Sequence, residues 1–217
     1  MKKIIPSFLT ILNLVCGCLA IALAFQFQFE AVLILVCLGV FFDFLDGLAA
    51  RALDAVTNFG KHLDSITDVI TSGVVPGIIV YQLFKLSGNK VSDFEVYAFG
   101  YDLIFSLSPI SFIGFLITIA SAIRLSKYNT LTRSDEFIGL PTPANAIFFA
   151  SLPVLINSDI LIDSKQIFLN NYFLIGSVIS SVILMNSPFR LFSFNISFKN
   201  FQSNVYQILL ILISIPI

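Results

Sequence analysis

Apolar residues run along this chain in blocks of roughly bilayer length, separated by short polar connections. An α-helix rises about 1.5 Å per residue, so about 20 apolar residues cross a hydrocarbon core about 30 Å thick. Seven stretches meet or approach that length, approximately 7–26, 31–50, 64–85, 98–122, 141–157, 167–186 and 204–217. The fifth and seventh are the shortest. No barrel-like alternation of lipid-facing and lumen-facing residues runs through them, which leaves helices to satisfy the backbone in lipid. The expected fold is all-α, a polytopic helical bundle in the membrane.

Composition agrees with the pattern. Of 217 residues, 57% are hydrophobic and only 12% charged, against about 25% charged in a soluble domain. So little polar surface will not coat a water-exposed globule. A net charge of −1 offers no basic stripe to neutralise phosphates, which argues against a nucleic-acid partner. Cys16, Cys18 and Cys37 fall within apolar runs and read as small buried hydrophobes, not as a disulfide framework or zinc site. His62 is the only histidine, so a histidine pair and a His-rich metal site are excluded.

The distribution of basic residues orients the bundle. With the N-terminus in the cytoplasm, Lys2, Lys3, Arg51, Lys61, Arg124, Lys127, Arg133, Arg190 and Lys199 lie inside, and Lys85, Lys90 and Lys165 outside. The opposite orientation inverts this bias. Lys2-Lys3, the following apolar run and Ala22-Leu23-Ala24 superficially resemble a secretory signal. That run exceeds the roughly 7–15 residues of a signal core and flows into the next span, so it is read as a retained first helix.

Four aspartates carry the candidate chemistry. Asp43, Asp46, Gly47 and Ala50 follow i, i+3, i+4, i+7 at the end of the second span, which is one helical face. Across a short polar connection, Gly60, Asp64 and Asp68 follow i, i+4, i+8, again one face. Both faces flank the same cytoplasmic loop and are able to meet. Converging carboxylates at a membrane edge repel one another and are costly to bury. Hard oxygen ligands favour magnesium, manganese or calcium, and two such ions offset four negative charges. Paired divalent ions suit phosphoryl chemistry. Gly47, Ala50 and Gly60 allow a base or phosphate close to the backbone, or serve close helix packing. Arg51 is suited to a pyrophosphate, and equally to its place on the cytoplasmic side. Solvated loop carboxylates are the bland alternative; four in this register argue against it.

The run Asp43-x-x-Asp46-Gly47-x-x-Ala50-Arg51, eight residues, Gly60, three residues, Asp64, three residues, Asp68 matches the complete signature of the CDP-alcohol phosphotransferases. The chain therefore resembles a family of six-helix membrane cores, usually dimeric, that move a phosphatidyl-type group from a CDP-linked lipid to an alcohol and release CMP. The resemblance implies that Asp43, Asp46, Asp64 and Asp68 ligate two divalent cations, Mg2+ or Mn2+ with Ca2+ as a third candidate. It makes Asp68 the base that takes the acceptor's proton, and places Gly47, Ala50, Arg51 and Gly60 around the CDP moiety. It also implies a division into residues 1–190, the catalytic membrane domain, and 191–217, a cytoplasmic loop and one extra C-terminal helix.

Three further regions bear on the acceptor. They are Pro6-x-x-Leu9-Thr10-x-x-Asn13-Leu14-x-Cys16-Gly17, then Ala122 through Asn129, then Gly139-Leu140-Pro141-Thr142-Pro143-Ala144. With Leu63-Asp64-Ser65-x-x-Asp68, Gly73 and Pro76 they look like the small bacterial and archaeal phosphatidylserine synthases, although Ser7 stands where asparagine is frequent. This likeness covers residues 6 to about 145 and implies CDP-diacylglycerol and L-serine as substrates, at the cytoplasmic face of the cell membrane. Arg124 and Lys127 are candidates to pair with a serine carboxylate, or are ordinary positive-inside charges. Glycerol 3-phosphate or an inositol phosphate calls for cations in the same place. Thr10 and Asn13 either reach the nucleotide or bond neighbouring helices. A divalent-metal transporter also places carboxylates in a membrane, but with internal repeats and midplane sites that this sequence lacks.

Overall fold

The computed structural model describes residues 4–89, 92–98, 101–130, 139–157 and 165–187. Its elements are α1 (Ile4–Phe25), α2 (Phe29–Ala52), α3 (Asn58–Val69), a π-helical turn (Ile70–Val74), α4 (Val75–Leu86), β1 (Ser92–Ala98), β2 (Tyr101–Leu107), a 3-10 turn (Pro109–Gly114), α5 (Phe115–Thr130), α6 (Thr142–Asn157), α7 (Lys165–Phe168) and α8 (Asn171–Asn186). Among the described residues, four continuous helical stretches are long and apolar enough to cross a membrane: Ile4–Phe25, Phe29–Ala52, Asn58–Leu86 and Pro109–Tyr128. The apolar α6 and α8, of 16 residues each, complete a polytopic helical membrane bundle. The seventh expected span, 204–217, and the segment 191–217 lie outside the described residues.

One expected span needs correction. Residues 98–122 do not form one helix, because β1 and β2 pair as an antiparallel hairpin, with Phe94 opposite Phe105 and Val96 opposite Leu103. The cause is legible in hindsight. Phe94, Val96 and Ala98 alternate with Asp93, Glu95 and Tyr97, which is a period of two, not 3.6. Helix resumes only at Pro109, whose fixed φ and missing N–H suit a first helical turn. The cysteines also need a correction: Cys16 is buried, but Cys18 and Cys37 are exposed on the outer faces of their helices.

Helix α1 shows how the bundle is put together. Ile4, Phe8, Ile11, Val15 and Leu19 form its exposed stripe, whereas Pro6, Thr10, Asn13, Gly17, Ala20 and Ala24 are buried. Large apolar residues face outward and small or polar ones inward, the inverse of a soluble helix. In lipid, greasy surface gains little by being buried, so helices associate through close backbone approach and interhelical hydrogen bonds. One such close approach joins α1, α2 and the π-turn. A Cβ placed on Gly39 falls 2.8 Å from Asn13 Oδ1 and 2.8 Å from Thr71 Cγ2. Gly39→Val is therefore expected to lower stability by about 1–3 kcal/mol through overpacking, read as a lower Tm in detergent. An unchanged Tm contradicts this packing.

Helix α4 occupies the centre, with Val75 through Val80 and Gln82 through Phe84 buried. It packs against α1, α5, α6 and the 3-10 turn. Because α3 continues into α4 through the π-turn, the carboxylate-bearing helix is anchored directly in the core.

Candidate metal centre and active site

Helix α2 ends at Ala52, and the chain reverses through residues 53–57 into α3. Asp54 takes a left-handed φ of 48° in this turn, a conformation aspartate tolerates better than most residues. Thr57 then caps α3, its Oγ1 accepting a hydrogen bond from the Gly60 N–H at 3.0 Å. The short reversal brings the two acidic helix faces together. One carboxylate oxygen from each of Asp43, Asp64 and Asp68 lies within 4.8 Å of the others. Asp68 is buried, and Asp43 and Asp64 are half-buried.

Hydroxyl and amide donors from α1 hold two of the acids. Thr10 Oγ1 donates to Asp46 Oδ2 at 2.5 Å, and Asn13 Nδ2 donates to Asp68 Oδ1 at 3.3 Å. Asp46 is buried and is not one of the three whose oxygens converge, but its charge acts on each of them. Asp64 Oδ1 is buried with no hydrogen-bond partner. A buried acceptor without a donor, in a cluster of like charges, is costly unless a cation completes it. The donor set is entirely hard oxygen, which fits a divalent ion of the magnesium, manganese or calcium kind.

Two cavities flank the trio. The first, of about 290 Å³, is lined by Thr10, Asp46, Gly47, Ala50, Arg51, Gly60 and Asp64, with Ser7, Thr57 and Lys61 among its other walls. Asn13 is not among its lining residues. The second, of about 260 Å³, is lined by Asp68, Arg124, Leu125, Tyr128, Pro141, Thr142 and Pro143. Arg124 is buried, its guanidinium lies 4.8 Å from the centroid of the Tyr128 ring, and its Nε has no hydrogen-bond partner. Lys127 is exposed on the same helix and does not line this cavity.

Tyr128 and Thr142 were not picked out from sequence as site residues. Tyr128 follows Arg124 at i+4, and that spacing was the available signal. The Gly139-Leu140-Pro141 run has a structural task as well. Gly139 has φ 74°, and a Cβ there falls 2.5 Å from Met185 O. The Leu140 N–H donates to Leu184 O at 3.0 Å, fixing the Pro141–Pro143 lip of the second cavity onto α8.

Fold and site together define a polytopic membrane protein whose acidic centre, flanked by two cavities, has the all-oxygen donor set that a divalent cation takes. A family profile described as CDP-alcohol phosphatidyltransferase matches residues 3–183. The chain belongs to the CDP-alcohol phosphatidyltransferase family, transferases of phospholipid biosynthesis that use divalent metals. It is 33% identical over 144 residues to the CDP-diacylglycerol--serine O-phosphatidyltransferase of Bacillus subtilis, covering 64% of this chain and 69% of that one. The protein of the same name from Methanocaldococcus jannaschii is 34% identical over 160 residues, 73% of this chain and 65% of that one. An archaetidylserine synthase of Methanothermobacter thermautotrophicus is 34% identical over 150 residues, 68% of this chain and 56% of that one. The matches to the two archaeal relatives thus span less than two thirds of their lengths.

Proposed function

We propose that the protein transfers a phosphatidyl group from CDP-diacylglycerol to L-serine, giving phosphatidylserine and CMP. The observation that carries this reading is the place of Asp68, which belongs to the carboxylate trio and also lines the cavity that holds Arg124. The names of the relatives support serine as the acceptor.

In this reading the first cavity takes the cytidine diphosphate. Gly47, Ala50 and Gly60 let it approach the backbone, and Arg51 reaches its phosphates. Two Mg2+ or Mn2+ ions, when held by Asp43, Asp46, Asp64 and Asp68, neutralise the diphosphate and favour departure of CMP. In the second cavity the Arg124 guanidinium, held against the Tyr128 ring, pairs with the serine carboxylate. Lys127 adds positive charge nearby. Asp68 accepts the proton of the serine hydroxyl as its oxygen attacks the lipid-bearing phosphorus. The new P–O bond forms as the bond to CMP breaks, and CMP leaves with the electron pair. The same reading puts the N-terminus and the site at the cytoplasmic face of the cell membrane. It also makes the active protein a homodimer and places a domain boundary near residue 190.

Purified protein supplied with manganese or magnesium, CDP-diacylglycerol and each candidate alcohol provides the test, read as CMP release. Release that depends on serine is expected. Release with glycerol 3-phosphate or an inositol phosphate alone replaces the acceptor, and manganese flux in liposomes without CMP release overturns the transferase reading. In the serine reaction, Arg124→Lys is expected to raise the serine KM about ten- to a hundredfold, because a planar charged fork is lost. An unchanged serine KM in that variant removes Arg124 from the acceptor site.

A further inference from the structure

The turn that follows Asp68 is wider than an α-helix, and the sequence contains the cause. In a regular helix Pro76 has no N–H to offer Ser72 O, four residues back, and its ring clashes with that carbonyl. The backbone answers with the π-turn Ile70–Val74, in which the Val75 N–H bonds to Ile70 O, five residues back. Such single π-turns recur at functional sites. The neighbouring helix α5 supplies donors to this turn. Thr118 Oγ1 donates to Gly73 O at 3.0 Å, and Ser121 Oγ lies 3.5 Å from Ser72 O, the carbonyl that Pro76 leaves without its helical donor. On the opposite side, Thr71 Oγ1 donates to Asn13 O at 3.3 Å, and Asn13 also holds Asp68.

Thr118, Ser121 and Arg124 follow one another at intervals of three along α5. The hydroxyls that grip the π-turn therefore lie one and two helical turns from the guanidinium that shares a cavity with Asp68. We infer that Pro76, Thr118 and Ser121 are positioning residues: the π-turn and its α5 hydroxyls set the register between Asp68 and Arg124, and so the fit of the acceptor alcohol between base and cation. The inference rests on the proposed roles of Asp68 and Arg124. It predicts a defect larger on the acceptor side than on the nucleotide side, because none of the three residues lines the nucleotide cavity.

Two variants test it. Thr118→Val combined with Ser121→Ala removes both hydroxyls. Pro76→Ala restores the missing N–H and removes the ring clash, favouring a regular helix without loss of helix propensity. Both are expected to lower kcat/KM for the acceptor about 10- to 100-fold, as an error of about 1 Å in reactant placement does. In both, KM for CDP-diacylglycerol rises by much less than the acceptor KM. Thr118→Ser, which keeps the hydroxyl, retains wild-type acceptor kinetics. Pro76→Ala also keeps or raises Tm, so that its loss of turnover is not a loss of fold. Unchanged acceptor kinetics in folded Pro76→Ala, or an equal rise of both KM values in the double variant, overturns the inference. The ratios are measured with whichever alcohol supports wild-type CMP release. Failure of serine therefore sinks the acceptor reading alone, while the ratio still decides the register.

Discussion

Asp68→Asn is expected to cut phosphatidyl transfer by about 10²- to 10⁴-fold, the range lost with a general base, while the protein stays folded. The substitution preserves shape and leaves an oxygen for the Asn13 amide, which donates to Asp68 Oδ1 at 3.3 Å. It removes one of three carboxylates whose oxygens crowd within 4.8 Å of one another. In metal-free protein that relieves like-charge repulsion in a poorly solvated site, so Tm is expected to hold or rise. Activity falling while stability does not is the signature of a site strained for function. Parallel measurement of CMP release and of Tm in detergent checks both halves. Substantial residual turnover removes Asp68 as the base.

Asp64→Asn is expected to be comparably severe for a different reason. Its Oδ1 is buried without a donor and forms part of the trio, so on the proposed reading its loss takes a ligand from the cation site. Lewis-acid stabilisation is worth several kcal/mol, which corresponds to about 10³-fold or more in rate. Excess manganese is not expected to restore full turnover. Complete rescue by added metal shows instead that Asp64 tunes affinity alone.

Much of this site was legible because helical periodicity and carboxylate chemistry point the same way. Asp43, Asp46, Gly47 and Ala50 read as one face, as did Gly60, Asp64 and Asp68, and the short reversal capped by Thr57 brings those faces together. The first three spans were legible as well, since predominantly apolar runs of bilayer length admit few other structures. The hairpin at Ser92–Leu107 was missed because its apolar content outweighed its period-two alternation. The second cavity was only half visible. Arg124 stands out in an apolar helix and Tyr128 follows it at i+4, but Thr142, at the start of α6, joins them in one cavity only through tertiary structure, which no local pattern encodes. Pro76 was in plain view, yet its effect is on Ser72 and Gly73, whose carbonyls meet donors from α5, more than 40 positions along the chain.

Manganese titration of the purified wild-type protein, followed by electron paramagnetic resonance, addresses the acidic cluster most directly. Saturable binding that is abolished in Asp64→Asn, with spin coupling between two ions once CDP is added, is the expected result. A folded wild-type protein that binds no manganese, with or without CDP, contradicts a cation site at Asp43, Asp64 and Asp68.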